Sequence, residues 1–356
     1  RVGGGEGSRV AIRQRLMTFI VTWTEMFETS RKNEDNNLAR VVPRTQSSRR
    51  AETHPRISFA GSLIDGSSRP VQGRRFDMPV DDDEVPTVWV IWGSQYVAKA
   101  LVALDAHGIK HYVKRGKLGT GGLEDLPGGG KLVPVLTAGA DVVVPDSEAI
   151  LRWAEKTRGA NLYPTPQCAE WSERASDGFL PNAVLYYNWI EPEGYARSMR
   201  AKFASLVPWY AGGGTCIAGY LVDWGTAKKR AEFAEKVLPE LSKHPDVGTL
   251  EGRADAVAKE HVIREALVKE LAHFQSGLGA NDAAGYLCGG DAPTAADCSV
   301  YAQLERLVGT MGDARVPASV PGLLDDARLG AIKKWREMMV ERHPIRYGGK
   351  RAPTEK

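Results

Sequence analysis

A continuous apolar run, Val88-Trp89-Val90-Ile91-Trp92, stops at Gly93-Ser94, and helical periodicity begins at once. The run has the length of a buried strand. Val97, Ala100, Leu101 and Leu104 then recur at i, i+3, i+4 and i+7, the spacing of a helix with one apolar face, and Gly108 marks its end. A strand that feeds directly into a helix commits the chain to a layered α/β start. Lys-His-Tyr-Val-Lys-Arg at 110–115 predicts a second strand, and residues 131–146, KLVPVLTAGADVVVPD, a hairpin around AGAD. SEAILRWAEKT at 147–157 predicts a helix with Asp146 or Ser147 as its N-cap. The order is β-α-β followed by β-β-α.

After the Gly/Pro linker GANLYPTPQ at 159–167 only helical periodicity remains. Phe233, Val237, Leu238 and Leu241 share one face, and Ile263, Leu267, Leu271 and Phe274 another. Val300, Leu304, Leu307 and Val308 make a third, and LGAIKKWREMMVERH a fourth. The expected organisation is a disordered basic leader at 1–84, an α/β domain at 85–164, an all-helical domain at 168–343 and a polar tail at 344–356. A transit segment is a second reading of the leader, which Glu25, Glu28, Glu34 and Asp35 oppose.

Charge follows the same division. Residues 1–80 hold 14 Lys/Arg and 8 Asp/Glu, and the rest 33 and 36, so the basic excess belongs to the leader. A mildly acidic body argues against nucleic-acid binding. Cys168, Cys216, Cys288 and Cys298 form no CxxC pair and no zinc spacing, which predicts reduced thiols in an intracellular compartment. The longest lipid-like stretch near the start, LMTFIVTW, is shorter than the about 20 residues a membrane-crossing helix needs, so the expected protein has no transmembrane segment. Residues 81–84, DDDE, read as a solvated linker, and PGGGKL lacks the spacing of a phosphate loop.

Three polar positions stand out. Ser94 opens the first helix, and its hydroxyl is either a plain helix cap or an activating group for a bound thiol. Asp146-Ser147 opens the next helix, where an acidic cap is ordinary. Thr294 with Asp297 is a capping box before an apolar-striped helix, which assigns it to folding and not to chemistry.

The order GKLVPVL, DSEAIL, LYP and then a helical half resembles the cytosolic glutathione transferase superfamily over residues 86–343. The resemblance implies α/β plus all-α architecture: a thioredoxin-like βαββα domain followed by a helical-bundle glutathione-transferase C-terminal domain. It implies glutathione as co-substrate and no metal. SQYVAK at 94–99 is similar to the SPYVRK pattern of serine-type members, with Gln95 in the place of proline. Ser94 is then the catalytic residue, with Tyr96 the alternative hydroxyl. A free thiol has a pKa of about 8.5, so a hydroxyl hydrogen bond and the positive end of a helix both favour the reactive thiolate. The resemblance further implies a cis bond at Val133-Pro134, with the Val133 backbone pairing with the cysteinyl part of glutathione. Asp146 would take the γ-glutamyl ammonium, Ser147 and its N–H the adjacent carboxylate, and Lys131 the glycyl carboxylate.

The helical half, through AEWSERASDGFLPNAVLYYNW and DAPTAADCSVYAQLERLVG, is also similar to the membrane-associated prostaglandin E synthase type 2 branch. That branch carries a CPFC-like motif where this chain has SQYV, so its cysteine chemistry does not transfer. The expected function is conjugation of glutathione to a small hydrophobic electrophile, in the cytoplasm or in an organelle, by a homodimer. The rivals are a non-catalytic binding or assembly protein of the same fold, and a glutathione-dependent isomerase or reductase, for which Cys216 is the loop-flanked candidate. Trp171, Tyr186, Tyr187, Trp189 and Trp209 line a substrate cleft or, at helical spacing, the core. His107 and His111 read as surface residues.

Overall fold

In the computed structural model the described residues are 85–119, 122–124, 126–129, 132–207, 216–278 and 285–348. The leader, Lys131 and Trp209 lie outside them. The chain divides into two compact units, of which 75–117 with 125–356 carries the main sheet and the helices. In the other, the described residues are 118–119 and 122–124. Strands β3 (Lys117–Gly119) and β4 (Gly122–Glu124) pair only with each other.

The main sheet runs β2-β1-β5-β6. Its strands are β1 (Thr87–Val90), β2 (Tyr112–Arg115), β5 (Val135–Ala138) and β6 (Val142–Pro145). β1 pairs in parallel with β2 and antiparallel with β5, and β5 antiparallel with β6. This is the predicted β-α-β, β-β-α order. β1 ends two residues before the apolar run does, because Ile91 and Trp92 turn out of the sheet towards Gly93. β3 and β4 have no apolar pattern and were not expected.

Helix α1 (Gln95–Ala106) begins at Ser94, whose Oγ accepts the Val97 amide at 3.4 Å. Helix α2 (Ser147–Arg158) begins at Asp146, whose Oδ1 accepts the Glu148 amide at 2.7 Å, and ends at Gly159 with φ of 67°. A left-handed residue at that point is the usual glycine stop. Between them, Val97, Leu101 and Leu104 of α1, Val88 and Val90 of β1 and Ile150 and Leu151 of α2 are fully buried.

The helical half comprises α3 (Pro166–Asp177), α4 (Phe179–Leu185), α5 (Pro192–Tyr195), α6 (Ala201–Leu206), α7 (Cys216–Ser242), α8 (Arg253–Ala258), α9 (Glu260–Gln275), α10 (Ala295–Val308) and α11 (Gly330–Arg342). Wide turns at Tyr186–Ile190 and Ala196–Arg200 join α4, α5 and α6, with the Glu191 amide bonding the Tyr186 carbonyl at 2.9 Å. The predicted apolar stripes are core: Ile263, Leu267, Leu271 and Phe274 are fully buried. Trp171, Tyr186 and Tyr187 are core as well, while Trp189 is half-buried against Phe203 and Phe233. The segment at 243–258, which carried no sequence reading, is a loop closed by α8.

α10 is the hub. Its capping box is present, with Thr294 Oγ1 donating to Asp297 Oδ2 at 2.6 Å and the Thr294 amide to the same oxygen at 2.9 Å. Asp297 Oδ1 accepts the Leu287 amide at 2.8 Å and Trp335 Nε1 at 3.0 Å, which ties α11 and the preceding loop to the start of α10. All of this is buried, so the carboxylate organises the bundle.

Candidate functional site

The site forms where β1, β5 and β6 deliver their ends to α1 and α2. Gly93 has φ of 85°, which allows the chain to leave β1 and point Ser94 at the start of α1. A Cβ on Gly93 would sit 2.7 Å from Val316 Cγ2, so the turn is backed by the helical half. Tyr347 locks it from the same side: its hydroxyl donates to the Ser94 carbonyl at 2.8 Å. Ser94 is half-buried. Its Oγ is an acceptor in the helix cap, and its proton remains available as a donor.

Tyr96, one position into α1, is also half-buried. Burial first, then the Asp177 and Asp146 carboxylates, push its phenol up to about 12, with the Gln303 side chain opposing. It is therefore a neutral hydroxyl at neutral pH, in the electrostatic neighbourhood of Asp146.

The second part of the site is the junction of β5 and β6. The Val133-Pro134 bond is cis. The Pro134 carbonyl accepts the Asp146 amide at 3.0 Å, continuing the ladder beyond the Val135–Pro145 pair. Among the described residues no backbone hydrogen bond involves Val133. Asp146 has φ of 78°, a conformation that a non-glycine residue adopts only when its surroundings enforce it. The turn leaves the Asp146 side chain exposed at the N-terminus of α2 and buries Ser147. Backbone N–H groups in the first turn of a helix have no internal partner and attract an anion. The junction brings together the Val133 backbone, the exposed Asp146 carboxylate and the N-terminus of α2 through the Asp146–Pro134 bond.

Behind α2 lies a buried polar network. Lys99 Nζ, 2% exposed, donates to Glu148 Oε2 at 2.8 Å, Ser176 Oγ at 2.9 Å and Ser172 Oγ at 3.3 Å. Tyr163 donates to Glu148 Oε1 at 2.6 Å, and Ser172 and Ser299 meet at 2.9 Å. Burial opposes ionisation of Glu148, but Lys99, with Tyr163 behind it, holds its carboxyl below the usual range. The network joins α1 and α2 to α3 and α10, fixing the sheet against the bundle.

Of the sequence-predicted residues, the structure gathers Val133, Pro134, Asp146 and Ser147 at one strand junction, with Ser94 and Tyr96 at the start of α1. Lys131 lies outside the described residues. Sequence reasoning missed Asp177, Gln303, Arg306 and Tyr347. Asp177, at the end of α3, is held above the usual carboxylate range by burial, with Asp146 adding to the effect against the pull of Lys99. Gln303 and Arg306 read from sequence as positions on a core helix, and Tyr347 as tail. Nothing local marks them.

The thiols contribute little. Burial and the neighbouring Cys168 push the Cys288 thiol well above its ordinary value, and burial does the same to Cys298. The Cys216 side chain lies outside the described residues. His107 and His111 bond the Pro293 and Ile109 carbonyls, each at 3.0 Å. A separate surface recess between α7 and α8, lined by Ala234, Leu238, Leu250 and Arg253, contains none of the candidate residues. No described helix is long and apolar enough to cross a membrane.

The fold is a thioredoxin-like domain joined to a helical bundle. Residues 230–337 match the family model described as glutathione S-transferase, C-terminal domain. Among solved structures the chain is similar to a glutathione S-transferase III in apo form, at 19% identity over 72% of this chain and 91% of that one, with a TM-score of 0.40. It is similar to the theta class glutathione S-transferase from the citrus canker pathogen Xanthomonas axonopodis pv. citri with glutathione bound, at 18% identity over 74% and 98%, TM-score 0.39. It is also similar to maleylacetoacetate isomerase from Anaeromyxobacter dehalogenans 2CP-1, at 15% identity over 77% and 97%, TM-score 0.37. No curated protein matches the chain.

Proposed function

We propose that this chain is a serine-type glutathione transferase. The domain at 85–164 binds glutathione, and the domain at 168–343 holds the electrophile beside it. The Val133 backbone pairs with the cysteinyl unit. Asp146 takes the ammonium, and Ser147 with the N-terminus of α2 takes the neighbouring carboxylate. Lys131 is assigned to the glycyl carboxylate. The Ser94 hydroxyl donates to the sulfur, and the N-terminus of α1 adds positive potential, so the thiol loses its proton to solvent near neutral pH. The thiolate then attacks the electrophilic carbon.

The observation that carries this reading is the β5–β6 junction. A Val133 backbone with no hydrogen bond among the described residues, an exposed Asp146 held at positive φ and a buried Ser147 at a helix start lie side by side. A structural cap alone does not require that conformation. The reductase alternative has less support, since Cys288 and Cys298 are pushed away from thiolate character.

The test is calorimetric titration of glutathione into the full chain and into its Asp146→Ala variant. Saturable binding that weakens about 10- to 150-fold in the variant is expected, the size of one charge-assisted hydrogen bond. Absence of binding at millimolar glutathione would refute the reading.

A further inference from the structure

A guanidinium that pairs with no carboxylate among the described residues is buried beside the Ser94 turn. Arg306 lies on α10 and is 4% exposed. Its Nη2 donates to the Met199 sulfur, and its Nη1 has no hydrogen-bond partner. No carboxylate among the described residues forms an ion pair with it. The chain treats other arginines differently. Arg174 pairs with the buried Glu270 at 2.6 Å, and Arg336 with the buried Glu305 at 2.6 Å, which leaves the acid next to Arg306 already engaged. Burial pushes the Arg306 guanidinium down to about 10, so it remains charged at neutral pH. A buried, unpaired cation is costly to fold, and it persists when something outside the folded chain supplies the missing anion.

The surroundings point to the second substrate. Tyr347 is the electrostatic neighbour that acts on Arg306, and the same Tyr347 hydroxyl bonds the Ser94 carbonyl at 2.8 Å. Met199 comes from the wide turn before α6, and Val316 closes against Gly93. One turn earlier on α10, Gln303 is 2% exposed and its Oε1 has no partner. Positions i and i+3 share a helix face, so two orphaned polar groups form one strip, with Tyr96 at one end and Tyr347 at the other. A planar guanidinium with free N–H groups matches a carboxylate, and the half-buried Met199 side chain lies against it.

We propose that Arg306 is the receptor for a carboxylate on the second substrate, so that the electrophiles of this protein are organic acids. This rests on the glutathione reading above for its chemistry but not for its anion site. With a chloro-dinitrobenzoate as electrophile, the glutathione sulfur forms the C–S bond, the C–Cl bond breaks, chloride leaves, and the thiol proton passes to solvent.

The first arm uses no glutathione. Thermal melts of the full chain are recorded with nitrobenzoate or with its neutral amide, nitrobenzamide. Nitrobenzoate raises the melting temperature of the parent more than the amide does. The difference disappears in Arg306→Met and survives in part in Arg306→Lys. The second arm measures kcat/KM with glutathione for chloro-dinitrobenzoate and for chloro-dinitrobenzene. The ratio of the two falls about 10- to 150-fold in Arg306→Met, the worth of one charge-assisted hydrogen bond. Equal stabilisation of the parent by acid and amide overturns the proposal, as does a ratio that stays constant while both rates fall. If benzoate-specific stabilisation depends on Arg306 while calorimetry finds no glutathione binding, the anion site stands and the glutathione reading falls.

Discussion

Replacing Glu148 with Gln should destabilise this protein more than replacing Lys99 with Met, although each breaks the same ion pair. The reason is where the burial lies. The Lys99 side chain is 2% exposed and that of Glu148 is 40% exposed. In Glu148→Gln the ammonium stays buried with neutral hydrogen-bond acceptors, the amide oxygen and the hydroxyls of Ser172 and Ser176, and with Asp177 as a nearby carboxylate. Removing one partner of a buried pair costs about 3–5 kcal/mol, and the retained acceptors place this case near about 3 kcal/mol. In Lys99→Met the cation is gone. Glu148 rehydrates through its exposed edge and keeps its bonds from Tyr163 and Ser172, at 2.6 and 3.2 Å. That loss is about 1–2 kcal/mol, the worth of one or two net hydrogen bonds. The pH dependence has a definite sign. The folded-state carboxyl of Glu148 is depressed, so its stabilisation is complete above the unfolded pKa of about 4.3 and is lost as pH falls through the folded value. The gap between parent and Glu148→Gln should therefore narrow on acidification. Urea midpoints at neutral and acidic pH measure both effects. A larger loss in Lys99→Met, or a gap that does not respond to acid, would refute the assignment of the desolvation cost to Lys99.

Asp297→Ala strands the Thr294 and Leu287 amides and Trp335 Nε1, all of which bond its carboxylate within 3.0 Å. A loss of about 3–5 kcal/mol in denaturant unfolding is expected, while Thr294→Ala, which removes only the cap hydroxyl, costs about 1 kcal/mol. Gly93→Ala meets both a positive φ and the Val316 side chain at 2.7 Å, and loses about 1–3 kcal/mol. Adding Val316→Ala relieves the steric part only, so thermal melts of the double variant should show incomplete recovery of the Gly93→Ala defect.

The elements were legible in the sequence because their signals are local. Val97, Ala100, Leu101 and Leu104 state the α1 face within one helix, and Thr294 and Asp297 state the start of α10 within four residues. Asp146 was one of two possible caps, and the structure selects it through a single bond to Glu148. The strand ends were less legible, since Ile91 and Trp92 are as apolar as the residues before them. What removes them from β1 is the turn at Gly93, which a pattern of hydrophobicity does not encode. β3 and β4 were invisible for the same reason: three-residue strands have too few side chains to show a period.

The sequence by itself determined where α1, α2 and α10 start, which stripes are apolar, and that Val133-Pro134 and Asp146-Ser147 stand two strands apart in the chain. Their meeting, with the Pro134 carbonyl on the Asp146 amide, is a matter of hairpin register, which the turn Gly139–Asp141 sets. Only the tertiary structure decided that Lys99 is buried and answered by Glu148, 49 residues away, and that Tyr347 holds Ser94 across 253 residues. Arg306 sits in an ordinary amphipathic pattern, and its lack of a counter-ion among the described residues is defined by what packs around it. Side-chain periodicity reports which face of an element leaves water. Whether a charge on that face finds its opposite depends on elements far along the chain, and no local pattern carries that information.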